Sequence, residues 1–305
     1  MPAGFIGPLS HVFRYVTLRQ LRSESIIAED VDDCRAYNLI ALCSNWINWL
    51  TQQWFLPMRV SAKVDGRNSP LAHLPTFVPI LDLYELSISK ENLFNIVLPD
   101  IAYNVKPRYV RMLSDQARLP IQPIFVTLDG VFGWLEDDFT KTTTELTADV
   151  TEGAHTLSVV SSAGIRAGDA IMVGDDPTRT WSCVVDTVPN ATTIVVDPVN
   201  IGTLRSGDIV RRYGRVPSLI RWATILLIKD KKTPIGLQGT EDDENSPRWF
   251  AERLQNESVE GYSYGLAGLP RAYGPGGGAW TTGNPEVDDI LSQFVCTELY
   301  VGGIA

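Results

Sequence analysis

The sequence predicts an α+β fold: a helical domain with a small antiparallel sheet, interrupted by an inserted all-β, barrel-like domain. Three observations carry that expectation. Residues 23–56 hold two apolar rows at helical spacing. Residues 58–134 hold short apolar and β-branched runs separated by prolines. Residues 147–213 alternate apolar runs with Gly-Asp turns, and after Val216 the helical character returns.

The first 22 residues read as an irregular arm, with Pro2, Gly4, Gly7 and Pro8 close together. A long helix is expected from Ser23 or Ser25, with Glu24, Glu29 and Asp30 placed where the helix dipole favours acids. One of its rows is Ala36, Ile40, Cys43, Ile47, Leu50 and Trp54; the other is Leu39, Leu42, Trp46 and Trp49. Two adjacent rows make a stripe wider than one helix contact uses. Either the helix is sandwiched within its own domain, or one row faces a neighbouring subunit. In the second case Trp46, Trp49 and Trp54 are the candidate interface anchors, because aromatic side chains dominate interface energetics.

Pro57 is expected to end that helix. Strands are predicted at Met58–Val64, Leu71–Leu74, Phe77–Ile88, Ile96–Leu98, Arg108–Leu113 and Ile124–Leu128. Residues 137–146 read as a polar linker. Beyond it, strands are predicted at Thr156–Val160, Ala170–Val173, Trp181–Val188 and Thr193–Val196. The phrases Ala167-Gly-Asp-Ala-Ile171 and Ser206-Gly-Asp-Ile-Val210 are near copies, each setting a tight turn before an apolar strand. Leu219–Lys229, opened by Val216-Pro217, is apolar around most of its circumference and reads as a buried helix closed by Lys229, Lys231 and Lys232. Ser246-Pro247 is read as the start of a short helix. Asn284-Pro285-Glu286 opens a last helix with Val287, Ile290, Leu291, Phe294 and Val295 on one face. A free tail follows from Tyr300 to Ala305.

Charge and composition narrow the function. The chain has 305 residues, 44% apolar and 20% charged, with a net charge of −10. That balance opposes a nucleic-acid-gripping surface, which needs clustered Lys and Arg. Cys34, Cys43, Cys183 and Cys296 lie far apart without CxxC spacing, so neither a zinc site nor a disulfide framework is expected. No signal peptide and no membrane span is read from the chain. His11, His73 and His155 lack partners at metal-ligand spacing and read as ordinary surface or turn histidines. The paired acids Asp137-Asp138, Asp175-Asp176 and Glu241–Glu244 lack the alternation of a calcium loop and read as solvated faces. No GxSxG, HExxH, P-loop or Rossmann pattern is present. A structural or interaction protein is expected, with no enzymatic activity and no cofactor.

The outer segments, taken together, resemble the head-to-tail adaptor (connector, head-completion) proteins of tailed bacteriophages. The resemblance rests on a long amphipathic helix and on a strand pair like Val64-Asp-Gly-Arg-Asn-Ser-Pro-Leu71 leading to Val78–Leu83. It continues with a strand like Val126–Trp134, a Val-Pro helix like Val216–Leu227, a charged loop with a helix and extended stretch like Arg253–Gly265, and a capped end like Asn284–Ala305. In that family the strand passes almost directly to the Val-Pro helix. Here about 80 residues intervene, which fits an insertion in a surface loop.

The resemblance implies a discontinuous adaptor domain, 1–136 and 215–305, with an inserted β-barrel domain at 137–214. It further implies a ring of copies, twelve in the family, lying beneath the portal protein and extending the DNA channel. The C-terminal tail would dock on the portal through Leu299, Tyr300, Val301 and Ile304. Below the ring a stopper, terminator or other tail or neck protein would attach, and a net-negative wall would let genomic DNA pass without adhering. The implied location is the virion neck, assembled in the host cytoplasm and away from membrane. Other readings are a tail-completion or baseplate component, or a glycan-binding virion protein using Trp181 of the inserted domain as a stacking platform.

Overall fold

The computed structural model describes residues 12–51, 53–64, 67–73, 78–90, 94–106, 109–114, 118–120, 124–136, 141–175, 179–232, 282 and 284–294. The fold is α+β, and its sheets are antiparallel. By internal contacts the chain divides into two units, Met1–Thr17 with Gln52–Pro217, and Leu18–Thr51 with Ser218–Ala305. The first carries the sheets and the second the helices.

In the β unit, Met58–Val64 (β1), Leu71–His73 (β2), Ile80–Lys90 (β3), Phe94–Val97 (β4), Tyr103–Lys106 (β5), Tyr109–Met112 (β6) and Phe125–Phe132 (β7) precede the expected module. Four of them form one sheet in the order β1-β7-β3-β4, and β2-β6-β5 form another. Along β1, Met58, Val60, Ala62 and Val64 are buried while Arg59, Ser61 and Lys63 are not, the period of two that a half-buried strand requires. β7 lies between β1 and β3 at the centre of the first sheet. At Gly130 a Cβ would run into the Asp82 carbonyl of β3, so only glycine lets the two backbones approach.

Strands Thr142–Glu145 (β8), Thr156–Ser158 (β9), Asp169–Val173 (β10), Trp181–Asn190 (β11), Thr193–Val196 (β12) and Ile209–Arg215 (β13) build a curled six-stranded sheet. Its order is β8-β13-β10-β11-β12-β9. The two edges meet: Thr147 donates to the Ser158 carbonyl at 2.9 Å and Val160 to that of Glu145 at 3.0 Å. Curling lets Leu157, Ile171, Val173, Ile194, Leu204 and Val210 share one core, and covers edges that would otherwise present unpaired backbone.

The two Gly-Asp phrases fold into the same turn. Gly168 and Gly207 take φ of 83° and 90°, a region that disfavours any Cβ. Asp169 Oδ2 accepts from the Arg166 N–H at 2.8 Å, and Asp208 Oδ2 accepts from the Arg205 N–H at 2.7 Å. Asp169 does more: it is fully buried and also binds Arg212 Nε at 2.6 Å and Arg215 Nε at 3.0 Å. Arg212 is itself buried, so the pair is satisfied only while both partners remain.

In the helical unit, Leu18–Ser23 (α1), Asp33–Thr51 (α2), Ser218–Lys232 (α3) and Pro285–Ser292 (α4) contact one another as α1–α2, α2–α3, α2–α4 and α3–α4. Ala36, Leu39, Ile40, Cys43 and Ile47 of α2 are buried, as are Ile220, Ala223, Leu227 and Ile228 of α3 and Val287, Ile290 and Leu291 of α4. Asn284 caps α4 by accepting from Glu286 and Val287 N–H groups, with Pro285 in the first turn as expected.

Several sequence expectations are corrected. The long helix starts at Asp33, not Ser23 or Ser25, and ends at Thr51, before Trp54. A separate α1 ends in a left-handed residue, Ser25 (φ 57°), while Ile26 donates to the Leu21 carbonyl and Ser25 to that of Arg22. That pattern terminates a helix and usually uses glycine, so the sequence hides it. Asp32 then caps α2 by accepting from the Arg35 N–H at 3.0 Å. The expected arm is not loose over its described part. Tyr15 is fully buried, packs edge-on against Phe55 at 5.6 Å and accepts from the Phe55 N–H. Within the expected linker, Thr142–Glu145 is β8, because its partner β13 supplies a ladder that polar threonines can join. No strand is expected where β5 lies, and β7 runs past Leu128 to Phe132, within the Val126–Trp134 span that the resemblance implies. The short helix read at Ser246, the glycine-rich stretch around 276–278 and the tail lie outside the described residues.

Candidate functional site

The three tryptophans proposed as anchors have different environments. On α2 the second apolar row splits: Leu39 is buried, whereas Leu42 is 57% and Trp49 44% exposed, with Trp46 half-buried between them. Leu42, Trp46 and Trp49 are spaced so that they share one helix face, and together they leave an apolar strip on the helical unit. Trp54 belongs to the β unit, follows the helix and is 7% exposed; its indole N–H donates to the Phe132 carbonyl at 2.9 Å. It is a core residue of this chain. Leu299, Tyr300, Val301 and Ile304 lie outside the described residues.

Trp222 of α3 is partly exposed as well, but it is held. Its indole N–H donates to Glu286 Oε1 of α4 at 2.9 Å, and Lys229 Nζ lies 5.2 Å from the ring centroid. Asn284 Nδ2 meanwhile donates to Asp230 Oδ2 at 2.6 Å, tying the cap of α4 to the end of α3.

Trp181, the candidate glycan platform, is 2% exposed and lies in the core of the six-stranded sheet. Its ring therefore offers no open stacking face. His155 is exposed, as expected of a surface histidine. Asp175 of one paired-acid motif is ion-paired with Arg211. Among the described residues no group of three or more His, Cys, Asp or Glu is placed to hold a metal ion.

A seam that sequence reasoning missed joins the four-stranded sheet to the six-stranded one. Leu81, Tyr84 and Val131 pack with Leu135, Met172 and Tyr213. The Tyr84 ring lies between two guanidiniums: Arg59 at 4.8 Å and Arg211 at 5.7 Å from its centroid. Each guanidinium has its own carboxylate. Arg59 binds Asp129 at 2.7 and 3.3 Å, and Arg211 binds Asp175. The Tyr84 and Tyr213 hydroxyls are 3.3 Å apart, and Lys141 bridges Asp82 at 3.2 Å while facing the Tyr213 ring. Ser182 Oγ donates to the Pro57 carbonyl, adding a hydrogen bond between the two sheets' segments.

The electrostatics follow from this geometry. Burial, then the Tyr84 hydroxyl, pushes the Tyr213 phenol far above its usual range. Burial also raises Tyr84, while Tyr213 and Arg211 oppose the rise. Hydrogen bonding to Asp129 holds the Arg59 guanidinium more firmly protonated. A stacked arrangement of planar cations and a phenol is directional, so the seam sets an orientation as well as an attachment. At its end, Glu136 donates to the Arg215 carbonyl at 2.8 Å, so the segments flanking the six-stranded sheet run side by side.

Neither a family model, nor a curated protein, nor a solved structure matches this chain.

Proposed function

We propose that this chain is a structural neck protein of a tailed bacteriophage, whose copies form a ring beneath the portal, join head to tail and extend the DNA channel. The observation that carries the reading is the open Leu42–Trp46–Trp49 strip on α2, an apolar face of the kind that subunit association buries. The order of elements that underlies the family resemblance gives it support: a long helix, an antiparallel sheet closing on β7, and Val216-Pro217 leading into α3 and the capped α4. The side-by-side Glu136 and Arg215 segments support treating 137–214 as an insertion, because domains are accommodated where chain ends lie close. In this reading the C-terminal residues Leu299, Tyr300, Val301 and Ile304 engage the portal, and the inserted domain meets a further neck or tail protein.

Co-expression with the portal protein of the same genome, followed by end-on electron microscopy, tests the proposal. A stacked ring with the portal's symmetry is the expected result, lost on deletion of Thr297–Ala305. Intact portals carrying no additional ring would overturn the reading.

A further inference from the structure

A ring of identical copies joined head to tail needs two different complementary patches on each copy. The α2 strip is one. The β unit carries another: Ile96 and Val97 on β4, Ile101 in the following turn, Val105 on β5 and Leu113 after β6 are all exposed, Ile101 to 86%. Leu113 donates to the Ala102 carbonyl at 3.0 Å, which places it beside Ile101. β4 and β5 are both edge strands of their sheets, so no strand within the described residues covers these positions.

The two patches also differ in charge. From Ile101 to Leu113 the sequence contains Lys106, Arg108 and Arg111 and no acid, in a chain of net charge −10. From Glu24 to Asp33, leading into α2, it contains Glu24, Glu29, Asp30, Asp32 and Asp33 and no base. Arg22 pairs with Asp33 at 2.6 Å and lies 3.6 Å from Glu29, and Arg35 follows within the first turn of α2. Asp33 to Leu42 is nine helical residues, about 14 Å. Lys106 to Tyr103 is three extended steps, about 10 Å, and Ile101 lies in the turn just before them. Each patch thus has an apolar part and a charged part, and the charges are of opposite sign.

We propose that the β4–β6 flap of one copy docks on the α2 face of the next. Ile96, Ile101 and Leu113 meet the Leu42–Trp49 strip, while Lys106 and Arg111 face the 24–33 acids. This contact rests on the ring reading and specifies the surfaces that make it.

The test assembles variants on the portal of the same genome and counts rings per portal end-on. K106E/R111E alone, or E29R/D30R alone, should lower ring occupancy about tenfold, because like charges would then face each other across the contact. All four substitutions in one chain should restore it to within about twofold, which a folding defect would not do. Ile101→Asp, at a side chain already in water, should also abolish rings. If wild-type rings form and the charge reversals leave them intact, or the combined variant fails to recover, this contact is wrong while the ring stands. If the wild type forms no ring, both fall.

Discussion

Tyr103 illustrates how one side chain couples burial to pH. Its hydroxyl donates to Asp100 Oδ1 at 2.7 Å, and the ring is largely buried at the start of β5. Burial, then that hydrogen bond, pushes the phenol up to about 12. A raised folded pKa means that folding favours the protonated form. Its contribution is fully present below the unfolded value near 10 and is lost as pH rises toward about 12. Denaturant unfolding at pH 8 and at pH 11 should therefore show a loss of stability that Tyr103→Phe reduces. A residual slope should remain, because Tyr84 and Tyr213 shift the same way. An unchanged slope in the variant would show that Tyr103 does not titrate in this range. The same level shows what single residues conceal. The Gly-Asp turns were legible because glycine and aspartate act on their own backbone. That Asp169 also clamps Arg212 and Arg215 was not, since those partners lie 43 and 46 positions away in sequence.

Helix ends separate legible from hidden signals in the same way. Asn284-Pro285 announced α4, and the structure places the cap there. Asn284→Ala should cost about 1 kcal/mol, both for the lost cap and for the bond to Asp230. Ser25 is the opposite case, a left-handed terminus without glycine. Ser25→Gly should stabilise by roughly 0.5–1 kcal/mol by relieving the backbone. Denaturant midpoints at fixed slope measure both, and a destabilised Ser25→Gly would show that the serine side chain matters more than its φ. The apolar periodicity of residues 36–49 identified α2 but could not decide between packing inside the chain and facing out. The structure divides the row, burying Leu39 and leaving Leu42 and Trp49 open.

The seam of Arg59, Tyr84, Arg211 and Tyr213 joins two sheets whose strands are far apart in sequence. Tyr84→Ala removes the ring that both guanidiniums cover and leaves two ion pairs with only solvent between them. Hydrogen exchange should then rise in β10 and β13 while β1 and β7 keep their protection. Equal loosening of both sheets would mean that Tyr84 supports the four-stranded core and not the junction. Under the proposed function this junction would fix where residues 137–214 point.

Local chemistry in the chain was enough to specify the α+β class, the strands from β10 to β12, the helix after Val216-Pro217, and the Asn284 cap. Each depends on residues within one turn or one strand, where propensity and hydrogen bonding act over short distances. Tertiary structure alone decided that Trp54 and Trp181 are core, that threonines 142–144 join a sheet, and which apolar residues stay in water. Burial is set by what packs opposite, and that partner is chosen by the fold of the whole chain rather than by neighbours in sequence.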